Sequence, residues 1–324
     1  MTAPKIYRWD DDNAPVASGQ AGSGIALLRA CLVDGYGDKQ PAGWSMPYSN
    51  SEGTLAAFRN NPETGTGFYL QANNPDRAAA LRGYENMTDE ATGVKPFSSR
   101  QISLYTSSKG ETTPRPWLLV ADDRFFVAVI WQHMTIAAFA ATLNDRAAIQ
   151  SGGYAAIAMF GDCIPLFDSD NYFCVHFGND GDRVTSAILT LQPDFALSGS
   201  SSSVHYKTQY VARNIEGLDA ETLCQLITGG GPLCLGNEGV THHENLPTRT
   251  PGHEIVSRPY VNNGAPYSMR GYVPGLWHSC HKYTELDQFE VIELGGHRFM
   301  VVKCAGATDY RNHILVDISE HWRP

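Results

Sequence analysis

Between Pro116 and Trp131 two apolar runs, Trp117 to Ala121 and Phe125 to Trp131, are separated only by Asp122, Asp123 and Arg124. β-Branched and aromatic residues dominate both runs, and the acidic pair suits a tight turn, so the stretch predicts a β-hairpin. Nearly every position is apolar, where a half-exposed strand would alternate. Strands of this kind are covered on both faces, by a second sheet or by other protein.

The pattern elsewhere predicts more strands and a few short helices. Ile25, Leu27, Leu28, Cys31 and Leu32 fall on one helical face, with Ser23 placed to cap the helix and Gly35 to stop it. Short strands are expected at Gly67 to Leu70 and Gln101 to Thr106. Asn74-Pro75-Asp76 predicts the start of a short helix that Gly83 closes. The Ala-rich stretch Met134 to Ile149 predicts a partial helix. Tyr154 to Phe160 and Cys163 to Phe167 predict strands around Gly161-Asp162. Asn171 to Phe177 and Val184 to Leu191 predict a pair joined through Gly178-Asn179-Asp180-Gly181. Asp219 to Ile227 reads as a helix with an Asp cap and Gly229-Gly230-Gly231 as its stop. Phe289 to Leu294 and Arg298 to Cys304 flank Gly295-Gly296, the signature of a two-residue hairpin. Ile314 to Ile318 predicts a further strand. The expected class is mainly β (a β-rich α+β fold), with antiparallel hairpins, sandwich-like sheets and a few short helices.

Ser198 to Ser203, with Gly199, is the one low-complexity segment, a linker or an exposed loop. A boundary there divides the chain into a β-rich domain over 1–197, carrying the early helix, and a second β-rich domain over 204–324. A single large β domain is the alternative for 324 residues.

The net charge of -10 makes the surface a poor platform for nucleic acid, and no Lys/Arg cluster offers phosphate contacts. No apolar run reaches the length of a membrane span. Met1 to Asn13 is polar and acidic and lacks the pattern of a signal peptide. Seven cysteines at irregular spacings fit buried reduced thiols, and disulfides formed outside a cell are the alternative.

Trp277-His278-Ser279-Cys280-His281 is the densest chemical cluster. With His242, His243 and His253 it contains zinc-ligand chemistry, but the spacing fits no standard finger, and polar loop histidines account for the same residues. Gly229-Gly230-Gly231 follows a predicted helix, the wrong order for a phosphate cradle. Asp168-Ser169-Asp170 and Asn179-Asp180-Gly181-Asp182 could offer oxygens to calcium, although neither has the distal Glu of an EF-hand, and turn chemistry explains both. No local nucleophile motif is present. The residues therefore single out no catalytic, cofactor or metal site. Six Trp and fifteen Tyr suit core packing or a sugar-binding platform.

Three blocks carry a family resemblance. The first is Gly24 to Gly37 with Pro41-Ala42-Gly43-Trp44. The second combines Gly67-Phe68-Tyr69-Leu70, Arg82 to Asp89 and Arg115-Pro116-Trp117. The third is Met269-Arg270-Gly271-Tyr272-Val273-Pro274-Gly275-Leu276-Trp277 followed by His281. Together they resemble a family of virion structural proteins encoded by tailed bacteriophages and prophages of proteobacteria, over about positions 5 to 130 and 255 to 320. Where such chains often carry Pro-Leu-His after the Pro-Gly-Leu block, this one carries His278-Ser279-Cys280-His281. The resemblance implies a non-enzymatic particle component located in the virion and made in the host cytoplasm. The expected place is the tail, baseplate or neck, and the expected partners are other virion proteins and copies of itself. A capsid decoration protein and a tail-tip receptor- or carbohydrate-binding protein are the alternatives. Neither nucleic acid, membrane nor cofactor is expected. The block around Arg270, Leu276, Trp277, His278 and His281 is the expected interface, with Trp277 as a local core anchor the competing reading.

Overall fold

The computed structural model describes residues 3–99, 101–107, 110–143, 155–165, 173–180, 208–213, 217, 222–228, 253–259, 268–277, 287–303 and 313–323. Within them the fold is mainly β, with antiparallel sheets and two short helices. The strands are β1 (Lys5–Arg8), β2 (Ser45–Ser49), β3 (Leu55–Arg59), β4 (Tyr69–Asn73), β5 (Ala78–Met87), β6 (Gly93–Pro96), β7 (Ile102–Tyr105), β8 (Trp117–Ala121), β9 (Phe125–Ile130), β10 (Ala156–Asp162), β11 (Ile164–Pro165), β12 (Cys174–Asp180), β13 (Thr208–Val211), β14 (Thr222–Thr228), β15 (His253–Pro259), β16 (Ser268–Tyr272), β17 (Leu276–Trp277), β18 (Val291–Leu294), β19 (His297–Lys303) and β20 (His313–Asp317). The helices are α1 (Ser23–Arg29) and α2 (Ile136–Thr142).

Sixteen strands form one branched sheet, and β17, β20, β19 and β18 form a second in that order. The predicted hairpin is β8–β9, in register from Trp117↔Ile130 to Ala121↔Phe126. Asp122 Oδ1 accepts the backbone N–H of Arg124 and of Phe125, so one side chain builds the turn. β1 pairs with β8 on one side and β10 with β9 on the other. All of β8, β9 and β10 is buried. Each such Leu, Val, Ile or Phe contributes about 1.5–3 kcal/mol by leaving water. The covering layer belongs to this chain: β2, β3, β4, β5 and β7 pair in sequence and lay Phe58, Leu70, Leu81 and Leu104 into the same core. Rings lock the two layers together. Phe97 stacks on Phe160 at 5.7 Å, and Trp44 meets Phe126 edge-on at the same distance.

β12 joins the layers. Cys174 to Phe177 pair with β10, while Asn179 and Asp180 pair with β7. From β12 the pairing continues through β13, β14, β15 and β16 to β11. Because β11 follows β10 directly, this circuit of pairing closes on itself. It includes strands from both sides of 198–203, a segment that lies outside the described residues.

Several local expectations are corrected. Ser23 does not cap α1: the N-cap is Gly22, and the Ser23 hydroxyl donates to the Val16 carbonyl while accepting the Ser18 N–H. Asn74 starts no helix. Its Oδ1 accepts the Gly24 N–H at 2.7 Å, satisfying a first-turn donor of α1 from a distant loop, and Ala78 onward is β5. Gly35 does end the early helical segment, at φ 78° after a π-turn over Ala30–Asp34. The segment read as a helix from Asp219 contains β14, which β13 and β15 flank. Asn179 and Asp180, read as a turn, extend β12. Of the Ala-rich stretch, α2 is helical and 144–150 lies outside the described residues, as do 181–207 with the predicted strand Val184 to Leu191.

A polar brace ties distant segments to the central hairpin. Trp322 Nε1 donates to Asp122 Oδ2 at 2.9 Å, and the Arg323 guanidinium pairs with the same carboxylate and donates to the Asp162 carbonyl at 2.8 Å. Asp162 accepts the Thr66 N–H at 2.7 Å and the Thr66 hydroxyl at 2.6 Å. Burial raises the Asp162 carboxyl above its ordinary value. Burial acts the same way on Asp122, but Arg323 and the two turn amides outweigh it and hold that carboxyl below its ordinary value. On the far side of the core, Trp131 Nε1 donates to the Lys303 carbonyl at 3.1 Å and anchors the second sheet.

Candidate functional site

The second sheet departs from the usual pattern of one wet face. Gly295 and Gly296, at φ 58° and 89°, make the tight turn between β18 and β19. Along β19 and β20 successive side chains alternate faces. Met300, Val302, Ile314 and Val316, with Leu276 of β17, join the main core. Phe299, Val301 and Leu315 form a separate apolar cluster on the opposite face, with half-buried Trp277 and Ile292 packed against it.

A polar group sits at the edge of this second apolar face. His297 Nδ1 lies 2.6 Å from Asp317 Oδ2, and the Asp317 side chain has no exposed surface. Asp317 Oδ1 accepts the Ser319 N–H at 2.9 Å and the Ser319 hydroxyl at 2.6 Å. Ser319 in turn caps the short 3-10 turn Glu320–Trp322. That turn directs Trp322 into the hairpin brace and places His321, which is exposed, with its ring centre 4.6 Å from that of His297. The His297 ring lies parallel to Phe299 at 5.4 Å, and Trp277 meets it edge-on at 5.5 Å.

The chemistry follows from the hydrogen bonds. A buried carboxylate beside Nδ1 holds the Nδ1–H tautomer, which leaves the lone pair of neutral His297 on Nε2. The arrangement is an oriented imidazole with a second imidazole beside it, walled by Trp277. Among the described residues no group of three or more His, Cys, Asp or Glu is placed to hold a metal ion.

Of the expected interface residues, Arg270 is fully buried. Its guanidinium lies over the Phe173 ring and donates to the Arg213 carbonyl. Leu276 is likewise in the main core. Neither offers surface to a partner. Trp277 is the described member of the block on the second apolar face, and it is only half-buried. His278, His281, Cys280, His242, His243, Gly229 to Gly231 and Asp168 to Asp170 lie outside the described residues. His253 opens β15, opposite Thr228. Sequence reasoning missed His297, Asp317, Ser319 and His321. His297 directly follows the hairpin glycines, and Asp317 lies within the predicted strand Ile314 to Ile318. Their one-residue offset in alternation was the available signal, but cross-strand pairing was needed to make them neighbours.

Elsewhere, His176 of β12 is wholly buried beside the Tyr210 ring, and neither ring nitrogen makes a hydrogen bond of good geometry. No helix among the described residues is long and apolar enough to cross a membrane. No protein-family model matches the chain, and no curated protein matches it.

Proposed function

We propose that this chain is a non-enzymatic structural component of a tailed-phage particle, placed in the tail, baseplate or neck. It acts by packing against other virion proteins and copies of itself. The observation that carries this reading is the second sheet, which is apolar on both faces. One face joins the core of the chain. The other gathers Phe299, Val301 and Leu315, which are buried, with half-buried Trp277 and Ile292 at the margin of the cluster. Half-buried large apolar side chains beside polar groups, as at this margin, suit a protein contact. The Met269 to Trp277 block that carries the family resemblance runs directly into this sheet.

The reading also accounts for the architecture. Two layers packed over a shared core would give such a component a defined surface to present to its neighbours. Identical copies in a ring would then repeat one modest contact many times. The test is composition and protection together. Purified particles are digested and their peptides identified by mass, and Trp277 oxidation by hydroxyl radicals is compared in particle and free chain. The proposal expects the chain in mature particles at fixed stoichiometry, with Trp277 protected there. Absence from mature particles overturns it.

A further inference from the structure

We propose that His297 and His321 form a binding site for a divalent transition-metal ion, zinc being the expected occupant, with Asp317 orienting His297 from behind. This goes beyond the assembly reading and does not depend on it. The first argument is the carboxylate. Metal-bound histidines nearly always donate their other ring N–H to a carboxylate or carbonyl, which fixes the tautomer and raises ligand basicity. Asp317 holds that position at 2.6 Å from Nδ1, and the Ser319 N–H and hydroxyl lock the carboxylate in place.

The second argument is the pairing of rings. The two imidazole centres are 4.6 Å apart and tilted by 41°. An ion held about 2 Å from one nitrogen of each ring brings ring centres to roughly this separation. Flat stacking, as His297 shows against Phe299 at 5°, would not converge the nitrogens. The third is access. His321 is exposed and His297 keeps about a quarter of its side chain in solvent, so water can complete the coordination sphere. Two protein ligands leave the other coordination positions to water or to a ligand from a neighbouring copy. Imidazole nitrogens suit zinc, copper and nickel and disfavour calcium or magnesium.

The experiment is equilibrium dialysis of the full chain against zinc chloride, with bound metal counted per chain. The chain has eleven His and seven Cys, so the reading is a difference between variants. His321→Ala alters an exposed side chain and leaves the fold intact. It should bind one zinc ion fewer than the natural chain, as should His297→Ala. Asp317→Asn, checked for folding by circular dichroism, should weaken that one site about 10- to 100-fold. Copper titrated in place of zinc should give imidazole-nitrogen splitting in its electron paramagnetic resonance spectrum, reduced in His321→Ala. Unchanged zinc stoichiometry and affinity in His321→Ala overturn the proposal.

Discussion

Trp322 Nε1 donates to Asp122 Oδ2 at 2.9 Å, joining residues two hundred positions apart at the turn of the central hairpin. The same carboxylate accepts the Arg124 and Phe125 amides and pairs with Arg323, whose side chain is 11% exposed. Removing one member of a buried, hydrogen-bonded ion pair leaves the other charge uncompensated. Asp122→Ala should therefore lower the free energy of unfolding by about 3 kcal/mol. Asp122→Asn should cost less, because an amide oxygen still accepts the turn N–H groups. Urea unfolding checks both, and equal losses would contradict the role assigned to the ion pair.

Gly161 sits in β10 opposite Phe125 at φ 129°, and a Cβ there would lie 2.0 Å from the Arg124 carbonyl oxygen. That oxygen belongs to the backbone at the hairpin turn and cannot rotate away. Gly161→Ala should cost about 2–4 kcal/mol. Gly53→Ala, where the added atom meets nothing within 4 Å, should cost less even though its φ is also positive, at 69°. Comparable thermal shifts in the two variants would contradict the close approach.

His176 supplies a pH dependence of known sign. Burial, and then the Arg82 charge, push its imidazole down to about 3, against a slight opposing contact with the Leu81 carbonyl. The unfolded chain binds this proton near the ordinary value of about 6.5 and the folded chain does not. Stability is thus full above that value and lost as pH falls from it towards about 3. In His176→Phe this part of the acid loss should vanish. Urea unfolding at intervals from pH 7 to pH 4 should give curves for the two proteins that diverge as acid is added. Parallel curves would contradict it.

Cys31, Cys163 and Cys174 are buried reduced thiols. Burial pushes Cys31 and Cys174 well above the ordinary thiol value, so neither is a thiolate near neutral pH. Iodoacetamide at pH 8 should leave all three unmodified in the folded chain and modify them in urea, as read by peptide mass mapping. Rapid modification of any of them in the folded chain would contradict their burial.

The parts of the fold legible in the sequence are those where local pattern and tertiary demand agree. Trp117 to Trp131 and Gly295-Gly296 announce their hairpins because turn chemistry and β-branched runs coincide. Asp219 to Ile227 failed as a helix. An Asp at its start and three glycines after it resemble helix punctuation, while the β-branched Thr222, Ile227 and Thr228 fit the place between β13 and β15. Asn74-Pro75-Asp76 failed for a related reason: Ala78, Ala79 and Ala80 have high helix propensity, yet pairing with β7, and for Ala80 with β4 as well, decides their state. At the site, Trp277 was legible as a large side chain in a chemically dense block. The His297–Asp317 pair was not, because it depends on the register Phe299↔Asp317 between strands separated in sequence.

The central claim is that the half-buried face around Trp277 and Ile292 is closed by another protein of the particle. Its most direct measurement is hydroxyl-radical oxidation of Trp277 in intact, purified particles against the isolated chain, read by peptide mass. The account predicts oxidation in the isolated chain and at least tenfold slower oxidation in the particle. Equal rates in the two, or particles that contain no copy of this chain, would contradict it.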